Sequence, residues 1–450
     1  MLTSWFFYAW WDPRLLVLLL TSISINYFSG LSIDRSNTQK QRKKYMLLGV
    51  VSSLALLGFF KYFNFFIDSA QSISQLIGLN FSGPALQIIL PIGISFYTFL
   101  GLSYIIDLYL EKIPVCRNFV TYALYISYFP LLISGPIVSP AKMIPSIENK
   151  RTVNLGWIRE GLLLILIGLF KKIGVADALS PQIDVAFQNS AVVGGKDLLY
   201  SLYLFSIQIY CDFSGYSDIA RGVSKLLGID LIINFNQPYF SHSITEFWRR
   251  WHISLSTWFR NYLFYPLEFS RKRQKLLRQE SNLLIVFLLT GLWHGANWTF
   301  VIWGTLHGIY LIIEKWFANF SKKKFHVKLP TWLQIPINGL RIVLTFNIVA
   351  FTWIFFKADN FKNAWSYLTG IFTWRTKGSI TTFTENNILQ SSILLFVLIL
   401  IDIFQAHAKD HTVMLKWPWL VRGIAYTVLL IILFVFGGLD VQAPFIYFQF

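Results

Sequence analysis

Cysteine is almost missing from this sequence. Cys116 and Cys211 are the only two, and both lie in or beside apolar stretches. They support neither a disulfide framework nor a thiolate metal site, and a free thiol in apolar surroundings is usually inert, so nothing favours a covalent acyl-enzyme on Cys211. His407 and His411 stand in an i, i+4 relation that could hold a metal, but no third ligand is nearby. A solvated loop is expected there, with neither a metal nor a resident cofactor. Long polar segments are also missing. Without one able to fold as a separate globule, residues 1–450 read as a single domain. There is no Gly-x-Ser-x-Gly elbow, no phosphate-binding glycine loop and no internal repeat. Residues 1–11 lack the basic start of a secretory leader, and the first apolar run continues to Phe28 without a convincing cleavage site.

Acidic side chains are scarce: 22 Asp and Glu stand against 39 Lys and Arg, a net charge of +17. In a soluble protein that excess suggests nucleic acid. Here 55% of residues are hydrophobic and 18% aromatic, the mean hydropathy is +0.52, and apolar runs repeatedly approach the roughly 20 residues that cross a bilayer. The chain therefore reads as an all-α polytopic membrane protein whose partner is lipid, not nucleic acid. Its basic residues sit in connecting segments, where they mark loops kept in the cytoplasm against anionic headgroups.

In chain order, spans are expected at 15–28 and 45–67, joined by a cytoplasmic loop with Arg35, Lys40, Arg42, Lys43 and Lys44. Residues 86–110 return, with Pro91 and Gly93 breaking the first turns. The stretch 119–138 carries Pro130, Gly135 and Pro136 and precedes Lys142, Lys150 and Arg151, so it reads as a segment that dips in and returns. Residues 157–178 and 198–211 cross. The run 212–218 is too polar for lipid, and Asp212 and Asp218 are expected to pair with Lys or Arg inside the bundle, since lone carboxylates there are costly. Residues 234–241 form an extended polar-aromatic link whose backbone must be buried in protein or wetted. One amphipathic helix over 246–260, capped by Thr245, is expected to lie at the interface, with Trp248, Trp251, Leu255 and Trp258 or Phe259 on one face. A basic segment, 271–278, follows. Ordinary crossings are expected at 344–356, 388–404 and 424–436.

The stretch Thr290-Gly291-Leu292-Trp293-His294-Gly295-Ala296-Asn297-Trp298 interrupts an oily run over 283–316. An ionisable side chain within a membrane segment is expensive, which makes a functional site the default reading. Histidine is also the side chain best suited to exchange protons near neutral pH. Residues 283–292 cover only about half a membrane at roughly 1.5 Å per residue. Residues 298–316 lead back toward Lys322, Lys323, Lys324 and Lys328, so the pair reads as a hairpin with His294 at its tip. Gly291 with Gly295, and Gly304 with Gly308, have the spacing that lets helix backbones pack closely. His307, among these glycines, reads as a packing histidine.

The run 212–218, the link 234–241, Glu246-Phe247-Trp248-Arg249-Arg250-Trp251-His252-Ile253-Ser254-Leu255-Ser256 and Gly291-Leu292-Trp293-His294-Gly295 together resemble the membrane-bound O-acyltransferase superfamily. The likeness is to its bacterial branch of alginate O-acetyltransferase membrane subunits and peptidoglycan O-acetylation proteins. Pro91-Ile92-Gly93-Ile94-Ser95-Phe96 and residues 445–450 extend it over nearly the whole chain. The resemblance implies a ring of tilted and re-entrant helices around a central tunnel in the inner membrane. It also implies transfer of an acetyl group from a cytoplasmic thioester, acetyl-CoA, toward an extracytoplasmic polysaccharide through an esterase-like partner.

Under that resemblance His294 matches the essential histidine and His252 the supporting one. As general base, His294 would take the acceptor hydroxyl proton, a role that needs a neutral imidazole, and burial favours the neutral form. Arg249, Arg250 and the 271–278 cluster suit CoA phosphates or serve as topology signals. Trp293 joins the donor-binding candidates, and Asn297 either donates to the thioester oxygen or caps the hairpin turn. Two departures stand out. Arg260-Asn261-Tyr262 and Pro266-Leu267-Glu268-Phe269 replace the usual Arg-Asp-Tyr and Pro-Leu-Gly-Gly, and a further apolar segment is expected before Tyr8-Ala9-Trp10. Alternative readings are D-alanyl transfer to teichoic acid from a carrier-protein thioester, and a proton-coupled transporter using intramembrane His and Asp.

Overall fold

The computed structural model describes residues 1–10, 12–79, 81, 83–84, 86–269, 278–324, 330–376, 382–437 and 445–446. Residues 271–277 of the basic segment, Lys328 and the terminal 447–450 lie outside them. Among the described residues the regular elements are all helices. Five are long and apolar enough to cross a membrane: Pro13–Asp34, Gln39–Leu76, Trp332–Lys357, Glu385–Ala408 and Trp419–Phe436. The chain forms two compact units, Met1–Val153 with Leu227–Ile232, and Asn154–Leu226 with Ile233–Phe450.

In the first unit, the Asp12 side chain accepts from the Arg14 N–H and Pro13 opens the helix Pro13–Asp34. That helix runs on past the expected end at residue 28, and Gly30 within it makes room for the Tyr104 ring, which occupies the space a side chain there would need. The second span is longer than expected and contains a wide π turn, Gly58–Tyr62. Pro91 and Gly93 do break the next segment: Gly93 has φ +74° and the helix Ile94–Tyr109 begins after it. The stretch 119–138 holds two short helices, Phe119–Ser127 and Phe129–Leu132, the first capped by Asn118.

The second unit departs more from the sequence reading. The polar run 212–218 lies within one unbroken helix, Gly195–Leu226. The helix Leu155–Leu169 packs along it through two reciprocal glycine pairs. A Cβ on Gly161 would come within 2.9 Å of Gly222 O, and one on Gly168 within 2.6 Å of Gly215 O. The expected partners of the carboxylates come from the π turn Phe170–Asp177 that follows. Lys171 reaches Asp218 at 2.8 Å and Lys172 reaches Asp212 at 2.6 Å. Arg221 adds a second cation to Asp218 at 3.3 Å, and the His411 ring lies 3.5 Å from Arg221. His411 is therefore buried against this network and not part of a solvated loop, whereas His407 is exposed.

Candidate active site

The helices Arg278–His294 and Trp298–Lys324 form the expected hairpin, with His294 as the last residue of the first. Their closeness depends on glycine. A Cβ on Gly291 would run into Phe300 O, and one on Gly304 into Phe287 O. Small residues at such a crossing bring the backbones into contact, which fixes the tip rigidly. His294 is 3% exposed. Three aromatic rings box it: Trp293 at 4.9 Å, Trp303 at 5.0 Å and Phe356 at 5.3 Å between centroids.

The amphipathic helix expected over 246–260 is instead two short helices, Ile244–Arg250 and Ile253–Phe259, broken at Trp251-His252. Its cap is Ser243, not Thr245. The Ser243 side chain accepts from the Glu246 N–H at 3.1 Å, and the Glu246 carboxylate reaches back to the His242 N–H at 2.8 Å. Glu314, from the returning hairpin helix, accepts from the Ile244 and Thr245 N–H groups, satisfying donors that a helix start leaves open. Trp248, Trp251, Leu255 and Phe259 are all buried, so this face meets protein and not the membrane surface.

The break has a specific cause. His252 adopts a left-handed backbone, φ +41°, a region in which His, Asn and Asp are enriched among side-chain-bearing residues. The polar link 234–241 runs beside the break and satisfies its backbone. Ile253 N–H donates to Asn234 O at 2.9 Å, Asn236 N–H to Arg250 O at 2.9 Å, and Ser254 N–H to Asn234 Oδ1 at 3.1 Å. His252 Nδ1 also lies 3.3 Å from Asn234 Oδ1. The result is a fully buried imidazole facing Phe213 edge-on at 4.6 Å and Trp293 at 6.1 Å. Trp293 thus meets both histidine rings.

A cavity of about 410 Å³ opens between the hairpin and the two short helices, within the size range of small-molecule sites. Trp248, Phe259, Val286, Phe287 and Leu311 make its apolar wall, and Thr290, one helical turn before His294, also lines it. Arg249, Arg260 and Lys315 supply positive charge, and Lys315 is paired with Glu280 at 2.6 Å. Arg250 is instead held by Glu246 at 2.6 Å. Burial raises the Glu246 carboxyl pKa, but hydrogen bonds from His242 and Arg250 outweigh it and leave the group below the usual range.

Asn297 caps the second hairpin helix: its Oδ1 accepts from the Thr299 N–H at 3.0 Å while its amide donates to Asp359 O at 2.7 Å. His307 is a packing residue, accepting from the Trp248 indole at 3.3 Å and lying 3.0 Å from Thr352 Oγ1. Sequence reasoning gave no role in the site to Glu314 or to the cavity residues Arg260 and Lys315. An acid inside an otherwise apolar helix was the available signal for Glu314.

The family model for MBOAT, the membrane-bound O-acyltransferase family, matches residues 112–357. The "Probable alginate O-acetylase AlgI" of Azotobacter vinelandii is 37% identical, covering 99% of this chain and 93% of its own length. The peptidoglycan O-acetyltransferase of Helicobacter pylori is also 37% identical, over 82% of this chain and 72% of its own. The teichoic acid D-alanyltransferase of Bacillus subtilis is 31% identical, over 60% of this chain and 70% of its own.

Proposed function

Because the chain belongs to the membrane-bound O-acyltransferase family, we propose that it carries an acetyl group from a cytoplasmic thioester, acetyl-CoA, toward a hydroxyl of an extracytoplasmic polysaccharide, with His294 as general base. The chain is an O-acyltransferase and a multi-pass membrane protein, which leaves the transporter reading without support. The observation that carries the proposal is a buried imidazole at the tip of a rigid hairpin, one helical turn along from Thr290, which lines a cavity with an apolar wall and a cationic rim.

In this reading the apolar wall takes the pantetheine arm and Arg249 and Arg260 meet the phosphates. His294 removes the acceptor proton as oxygen adds to the thioester carbonyl. The C–S bond then breaks, and the proton passes to the departing sulfur. The two compact units act as one membrane domain. An esterase-like partner hands the acetyl group on to alginate, peptidoglycan or another surface glycan of the cell that makes the chain.

Membranes holding the chain together with its esterase-like partner, given acetyl-CoA labelled in its acetyl group and acceptor polysaccharide or peptidoglycan, should form base-labile acetyl esters. Ester-linked alanine from a carrier-protein thioester, with no acetate transferred, would instead place the chain with the D-alanyl transferases. The two neighbouring arginines separate further. Arg249→Ala should raise the KM for acetyl-CoA about 10-fold with kcat little changed, the signature of lost ground-state binding to a charged group. Arg250→Ala should move that KM much less, since its guanidinium is engaged by Glu246. Equal KM effects would remove the phosphate assignment.

A further inference from the structure

Phe445 and Ile446 are buried in the second unit, and a carboxylate that the transfer chemistry does not use holds them there. Asp212, 2% exposed in the middle of Gly195–Leu226, accepts from Lys172 through Oδ1 at 2.6 Å and from the Ile446 N–H through Oδ2 at 2.9 Å. A buried carboxylate is tolerable only when its oxygens are satisfied; here one of them anchors the backbone of a segment more than two hundred residues away. The anchored segment presents Phe445 to Phe213 at 6.0 Å and to Tyr216 at 5.5 Å, with Lys172 Nζ 5.7 Å from the Phe445 ring centre. Phe213 meets the His252 ring edge-on at 4.6 Å and 86°. A continuous line of contact therefore joins Asp212, Ile446, Phe445, Phe213 and His252.

Asn234 fixes one edge of the His252 ring, and Phe235 stacks over it at 6.2 Å. Phe213 supplies the perpendicular wall. Removing the support behind that wall would free the ring to tilt away from Trp293.

We infer that Phe445, anchored through its neighbour Ile446 by Asp212, is a positioning residue that holds Phe213 against His252 and so sets the aim of that imidazole during acyl transfer. The inference rests on His252 belonging to the site. A double-mutant cycle in the full-length protein tests it. Phe445→Ala and His252→Asn, which suits the left-handed backbone, should each lower kcat about 10- to 100-fold, with the KM for acetyl-CoA within about 2-fold of wild type. The double variant should be no slower than His252→Asn alone. Phe445→Tyr, which keeps the ring, should retain wild-type kcat. Should Phe445→Ala not purify as a monodisperse protein, Asp212→Asn replaces it in the same cycle.

Multiplicative losses in the double variant, or an unchanged kcat in Phe445→Ala, overturn the inference. An unchanged kcat in His252→Asn removes that residue from the site and the inference with it. Solid-state NMR of protein with 15N-labelled histidine reads the same point without turnover. The His252 ring-nitrogen lines should shift or broaden in Phe445→Ala and stay in place in Phe445→Tyr. Unmoved lines overturn the inference whatever reaction the enzyme performs.

Discussion

Replacing His294 by alanine or by glutamine should lower acetyl transfer by about 100- to 10,000-fold, the range over which positioned general bases act. The two substitutions test different things. Alanine opens space among Trp293, Trp303 and Phe356, while glutamine roughly keeps the volume and polarity and removes only the basic nitrogen. If the imidazole acts as a base, both variants fail alike, and donor KM stays near its wild-type value because the cavity's lining stops at Thr290, one turn away. Initial rates of label transfer from acetyl-CoA provide the measurement. A glutamine variant retaining more than a tenth of the wild-type rate would leave His294 as a packing residue of the hairpin tip.

The second large effect concerns stability. Asp218 is buried between two cations, Lys171 at 2.8 Å and Arg221 at 3.3 Å. Asp218→Asn removes the carboxylate that both positive groups contact and leaves only the more distant Asp402 charge near Lys171, and breaking a buried ion pair by removing one partner costs about 3–5 kcal/mol. Lys171→Met should cost clearly less, because the carboxylate keeps Arg221 and the methionine fills much of the lysine's volume. Thermal unfolding in detergent, followed by loss of monodisperse protein, should rank wild type above Lys171→Met and Lys171→Met well above Asp218→Asn. The reverse order would mean that the lysine, and not the carboxylate, is the group that must be neutralised.

What the sequence made legible follows from how local each signal is. His294 announced itself because one polar residue in an apolar run is an anomaly that needs no neighbours to be seen, and the glycines beside it gave the hairpin. The all-helical class came from composition and the length of apolar runs. The break at Trp251-His252 was hidden because the 3.6-residue pattern continues across it; what stabilises the left-handed turn is Asn234, eighteen positions earlier. Lys171 and Lys172 were passed over for a similar reason. Two adjacent cations in an apolar span look unfavourable until a π turn points them at Asp218 and Asp212. Thr245 looked like a cap, but the Ser243-to-Glu246 spacing fits the capping box and prevailed.

The reciprocal approach of Gly161 to Gly222 and of Gly168 to Gly215 bears on how the molecule can move. Two main chains that touch carbonyl to Cα at successive points act as a single beam: neither can slide or roll by a fraction of a turn without collision. Any breathing needed to admit a bulky donor or release a product must therefore come from elements that meet through longer, rotatable side chains, and the beam carrying Asp212 and Asp218 stays still while they shift.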